Sequence, residues 1–103
     1  MDTEILNKVK EIKPKLSEDG FILKGVFGSY VRHENNEFSD IDILYDLNEV
    51  FRTKYRGFKA VSKLDEIQAK ISVLLGVKAD LVQGQFLGEI ASKYILDEVV
   101  YVD

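Results

Sequence analysis

The chain has 103 residues, 46% of them hydrophobic, and contains neither cysteine nor tryptophan. That length predicts one compact domain, residues 1–103, around a single core, and the missing cysteines exclude thiolate metal sites, cysteine nucleophiles and disulfides. A net charge of −4 and a pI near 5.0 argue against an extended electrostatic grip on nucleic acid, while 18 acidic residues point any metal chemistry toward hard cations on oxygen ligands.

The opening MDTEILNKVKEIKPKL alternates charged with apolar positions and lacks the apolar run and cleavage site of a signal peptide. No stretch reaches membrane-spanning length, so a cytoplasmic setting without a membrane partner is expected. Ile5, Val9, Ile12 and Leu16 recur at three- and four-residue spacing, which predicts an amphipathic helix from about residue 3 to 18. A kink or break is expected near Lys13, because Pro14 lacks an amide donor and clashes with the preceding turn. Glu18-Asp19-Gly20 marks a stop, and Phe21 to Phe27 reads as a buried strand.

Gly28-Ser29 follows that strand directly, and Tyr30 to Asn35 predicts a short helical turn with Ser29 near its start. After a polar turn from His33 to Ser39, the segment Asp40 to Asp46 alternates acid with aliphatic in its first half. That pattern predicts a strand with Asp40 and Asp42 on one face. Asn48 to Gly57 is charged and aromatic without a clean period, and is read as a loop with some helix. Val61, Leu64, Ile67, Ile71, Leu74 and Leu75 form a helical stripe ended by Gly76. Val77 to Gln83 predicts a third strand with Lys78, Asp80 and Val82 on one face. Phe86, Ile90 and Tyr94 predict a last helix to about Ile95, and Val99 to Val102 a short extended end. The order predicts an α+β fold, a mixed sheet of three to four strands with helices packed on one side.

Asp40 and Asp42 stand roughly 6 to 7 Å apart at the backbone by strand rise, close enough for both to ligate metal ions. Two carboxylates so close raise each other's pKa unless a cation or a basic partner is present. A bare Asp-x-Asp also arises from acids on an exposed strand edge. The Gly28-Ser29 pair adds a second element. Glycine lets the backbone approach a ligand closely and amides at a helix start favour phosphate, although an ordinary helix cap has the same sequence.

Ten residues separate Gly28-Ser29 from Asp40-Ile41-Asp42. This run, GSYVRHENNEFSDIDILYDL, resembles the signature of the minimal nucleotidyltransferase family of the polymerase-β-like superfamily. The match is strong from Gly25 to about Leu47, and the order of later elements extends it over nearly the whole chain. The resemblance implies a polymerase-β-like fold with a third carboxylate on the following strand. Asp80 is the candidate, with Asp46 and Asp65 as rivals. It implies two magnesium ions, or manganese, on Asp40, Asp42 and Asp80, and a nucleotide held by Gly28, Ser29 and Arg32. Arg32 also reads as a solvated helix residue or a structural ion pair. After that arginine the family commonly has glycine, and here His33 stands in its place.

The implied activity is transfer of AMP from ATP to a protein hydroxyl. Minimal nucleotidyltransferases are often paired with an RNase toxin of the HEPN class, so the resemblance further implies an antitoxin that modifies a tyrosine of such a partner. Two other readings stay open: a non-catalytic antitoxin that neutralises by binding, and the nucleotide-binding subunit of a small-molecule nucleotidyltransferase. Arg52, Lys54, Arg56 and Lys59 form a basic cluster that is either a solvated face or a contact for triphosphate or an acidic partner. Tyr101 and Tyr30 are candidates for self-modification. Oligomeric state is not fixed by the sequence.

Overall fold

The computed structural model describes residues 3–28 and 40–102. The first helix, α1 (Thr3–Ser17), buries Val9 and Leu16 and runs through Pro14 without ending. The break expected near Lys13 is therefore absent. Proline this close to the C-terminus removes only one hydrogen bond from the last turn, and buried Leu16, 6% exposed, anchors that turn to the core. Lys13 adds a tie by donating to the Val102 carbonyl.

Four strands follow the expected order: β1 (Phe21–Phe27), β2 (Ile41–Leu47), β3 (Ala79–Gln83) and β4 (Val100–Tyr101). They form one sheet in the order β3-β2-β1-β4, with β1 antiparallel to β2 and β4, and β2 parallel to β3. A parallel pair needs a crossover. Here it is made by α2 (Glu49–Lys54) and α3 (Phe58–Leu75). α1 and α3 pack on each other and on one face of the sheet. The core between them contains Phe21, Leu23, Val26, Ile41, Ile43 and Tyr45 from the strands, with Ile67 and Ile71 from α3.

The pairing of β1 with β2 shifts between Leu23 and Gly25, so Lys24 is the extra residue of a bulge. Strict alternation cannot bury both Leu23 and Val26 on one face, since they stand an odd number of positions apart, with only Lys24 and Gly25 between them. The bulge makes it possible, and it sets Gly25 opposite Leu44 and Phe27 opposite Asp42.

The helix expected within Asn48 to Gly57 acquires definite bounds, and two later details differ from the sequence expectation. Asn48 to Gly57 contains a defined six-residue helix, α2, whose start is fixed by the Asn48 side chain accepting from the amides of Val50 and Phe51 at 3.0 and 3.4 Å. The α3 stripe is narrower than the periodicity predicts: Ile67, Ile71 and Leu75 are buried, but Val61 is 59% exposed. Phe86 lies in a single 3₁₀ turn, Gly84–Phe86, and is 81% exposed; the last helix, α4 (Glu89–Glu98), starts only after Gly88. No helix among the described residues is long and apolar enough to cross a membrane.

Candidate active site

With α1 and α3 on one face, the opposite face of the sheet receives the alternate residues of each strand. On β2 these are Asp42, Leu44 and Asp46, and on β3 they are Asp80 and Val82. The parallel register places Asp42 directly beside Asp80, and Leu44 beside Val82. Asp40 lies one residue before β2 rather than within it, yet its carboxyl faces that of Asp80, and one ammonium, that of Lys78, reaches both. The three acids that the sequence singles out thus gather at one end of β2 and β3.

Lys78 completes the group. Its ammonium stands 3.8 Å from Asp40 Oδ2 and 3.9 Å from Asp80 Oδ1. The Asp80 carboxyl is held above its ordinary range, first because burial disfavours the charged form and then because the Asp40 carboxyl faces it, with Lys78 acting in the opposite direction. Sequence reasoning gave Lys78 no role. The signal was there in its position, one strand period before Asp80 and therefore on the same side.

Gly28 closes the site from β1. Its φ is +91°, a backbone conformation that residues with a Cβ rarely adopt. A Cβ there would strike the Asp42 carboxylate, lying 3.2 Å from Cγ and closer still to Oδ2. The glycine is therefore required twice, by its dihedral and by the approach of Asp42. Ser29 and Arg32, the other residues proposed for the nucleotide, and Tyr30 and His33 beside them, lie outside the described residues.

The rivals of Asp80 lie elsewhere. Asp46 shares the open face but sits at the far end of β2, where it pairs with Lys24 at 3.6 Å. Both line a cavity of about 240 Å³ with Leu44, Gln85, Leu87 and Tyr101. Asp65 is exposed on α3, which covers the other face of the sheet. In the basic cluster, Arg52 is engaged by Glu49 at 3.7 Å and by the Leu47 carbonyl at 3.0 Å, and Lys54 by Asp19 at 3.3 Å. Arg56 and Lys59 are exposed.

The donor set fits a hard divalent cation in its chemistry: carboxylate oxygens on one face, a carboxyl pair drawn together, and an ammonium already lodged against that pair. Among the described residues, no three acidic or histidine side chains converge as the ligands of a single ion do. Asp40 and Asp80 face each other, whereas Asp42 is turned toward Gly28.

Comparison with known proteins gives the arrangement a context. The model of the nucleotidyltransferase domain family matches residues 4–102. The protein adenylyltransferase MntA of Thermococcus cleftensis is 42% identical over 78 residues, covering 76% of this chain and 71% of its own. A Methanocaldococcus jannaschii protein that carries the name of a protein adenylyltransferase is 33% identical over 103 residues, covering 94% and 97%. Among solved structures, one described as a minimal nucleotidyltransferase superposes with a TM-score of 0.69 at 30% identity, over 97% of this chain and 95% of that one. A toxin–antitoxin structure with AMP-PNP gives 0.64 at 19% identity, over 95% and 72%, a likeness of fold alone.

Proposed function

Since the chain belongs to the nucleotidyltransferase domain family, and within it to the minimal nucleotidyltransferases, we propose that it transfers AMP from ATP to a hydroxyl of a partner protein. The observation that carries this reading is the parallel register of Asp42 and Asp80, with Asp40 against Asp80 and Gly28 against Asp42. It gathers three carboxylates on an open sheet face beside a glycine that admits a ligand's close approach.

In this reading Asp40, Asp42 and Asp80 would hold two magnesium ions, which would supply charge neutralisation on the phosphates and lower the pKa of the attacking hydroxyl. Gly28 and Ser29 hold the outgoing phosphates through backbone amides and the serine hydroxyl, and Arg32 contacts the triphosphate. The acceptor oxygen bonds to the α-phosphorus, the bridging bond to the β-phosphate breaks, pyrophosphate leaves and the hydroxyl proton passes to solvent. The chain's own contribution is placement and electrostatics, since phosphoryl chemistry asks little else of the protein.

The acceptor in this reading is a tyrosine of a HEPN-class RNase toxin, silenced by the modification, in the cytoplasm. Two likenesses support it: a relative named as a protein adenylyltransferase and a shared fold with a chain of a toxin–antitoxin structure. The exposure of the Asp40 and Asp80 side chains, 36% and 41%, supports it too, because an acceptor must approach the acids from outside.

Intact mass spectrometry of the co-expressed product of the neighbouring gene, after incubation with ATP and magnesium, tests the reading. One or more AMP masses should appear on it, and none with the Asp40→Asn, Asp42→Asn double variant. A stable complex without any mass shift would instead favour neutralisation by binding alone.

A further inference from the structure

β3 is an edge strand, and an edge presents backbone groups that no neighbouring strand pairs. Its pairing with β2 begins at the Lys78 carbonyl, which accepts from the Ile41 amide at 2.9 Å. In a parallel ladder the next residue, Ala79, turns both its N–H and its C=O the other way. α3 meets both. The Ala79 amide donates to Ser72 Oγ at 2.9 Å, that hydroxyl donates to the Gln68 carbonyl at 2.8 Å, and Gln68 Nε2 donates to the Ala79 carbonyl at 2.8 Å. Gln68 and Ser72 stand one turn apart on the same side of the helix, so the three bonds close a ring that replaces the missing strand.

Ala79 is fully buried and faces the core; Asp80, the next residue, faces the open side. The ring therefore grips β3 immediately beside the carboxylate, from the face that carries no chemistry. We propose that Gln68 and Ser72 are positioning residues that hold Asp80 at the depth and twist where it works with Asp40 and Asp42. This rests on the reading of Asp80 as the third carboxylate. An edge strand fixed only by β2 is free to shear along it or rotate about it. Ligating groups tolerate displacement by only about 0.5 Å. Satisfying an edge needs no side chain in particular, since water does it at an exposed edge. A ring of three direct bonds at the one residue preceding Asp80 restrains the strand more tightly than solvent would.

Manganese binding to the nucleotide-free protein, followed by loss of the free-ion EPR signal, tests this without relying on turnover. Ser72→Ala and Gln68→Met should each weaken manganese binding by about tenfold, in line with the cost of losing outer partners of a metal ligand. In AMP transfer, kcat should fall by about 10- to 100-fold with KM for ATP changed less than about threefold, because the residues proposed to hold the phosphates follow β1 in the chain and not β3. Ser72→Thr keeps the hydroxyl and should restore both. Should Ser72→Ala fail to fold, Gln68→Met opens the same ring. Asp80→Asn is measured alongside. If it loses manganese affinity and transfer while Ser72→Ala and Gln68→Met keep wild-type values and only melt earlier, the ring is structural and the proposal is overturned. If Asp80→Asn itself keeps both, the assignment of Asp80 falls and the proposal with it.

Discussion

Replacing Gly28 with alanine separates two effects that glycine conceals. At φ +91° any residue with a Cβ is strained, at a cost of about 1–2 kcal/mol. Gly57, at φ +59° and ψ −128°, is also strained for a residue with a Cβ but lies in open space, since a Cβ added there would meet no atom within 4 Å. Gly28→Ala and Gly57→Ala should thus each lower the unfolding free energy by about 1–2 kcal/mol in guanidinium titrations. Only Gly28→Ala puts a methyl group into the Asp42 carboxylate, 3.2 Å from Cγ and nearer to Oδ2. Relief requires the carboxylate to move by about 1 Å, a displacement that costs about 100-fold in rate when it misplaces a reacting group. AMP transfer and manganese binding should both collapse in Gly28→Ala and stay within about twofold of wild type in Gly57→Ala. Transfer within about threefold of wild type in Gly28→Ala, or an equal loss in Gly57→Ala, would refute the reasoning.

Lys78→Gln removes the cation lodged against Asp40 and Asp80 and should tighten manganese binding. The Lys78 side chain is 66% exposed, so the gain is screened to about 0.2–1 kcal/mol, roughly up to fivefold, and should vanish in 1 M salt. Asp19 is pushed up by burial, but hydrogen bonds from Lys54, Lys63 and Tyr55 outweigh this and set its pKa below 3.8. Because the unfolded chain binds that proton more readily, the stabilisation is present above pH 3.8 and is lost as pH falls through the lower folded value. Melting curves across acid pH should show this loss in the wild type and a flatter profile in Asp19→Asn. Asn48→Ala removes the two capping bonds of α2 and should cost about 1 kcal/mol in a urea midpoint while leaving manganese binding unchanged.

The strands and the acids were legible in the sequence for a simple reason. Period-two alternation states both where a strand runs and which side each residue takes, so Asp42 and Asp80 are placed on faces before any fold is known. What alternation cannot state is which strands are neighbours. That Asp80, rather than Asp46, joins Asp40 follows from the parallel pairing of β2 with β3, a long-range fact. The Lys24 bulge was equally invisible, since FILKGVF reads as one continuous buried strand. Helix ends were harder. Pro14 is a breaker by its chemistry, but buried Leu16 keeps its turn in place, and α2 is too short to show a period. The Gln68–Ser72 ring had no signal at all, because a glutamine and a serine four residues apart on a helix read as solvated surface.

The acids of the open face come from neighbouring strands, yet the chain between Asp42 and Asp80 runs through all of α2 and α3. Their register closes a long loop, and contacts of that kind are among the last to repay their entropy during folding. A chain still emerging from the ribosome with β1, β2 and α3 complete has its first two carboxylates and no third. In the proposed reading, competence therefore arrives in one late step, when β3 docks, and never in proportion to how much of the protein has been made.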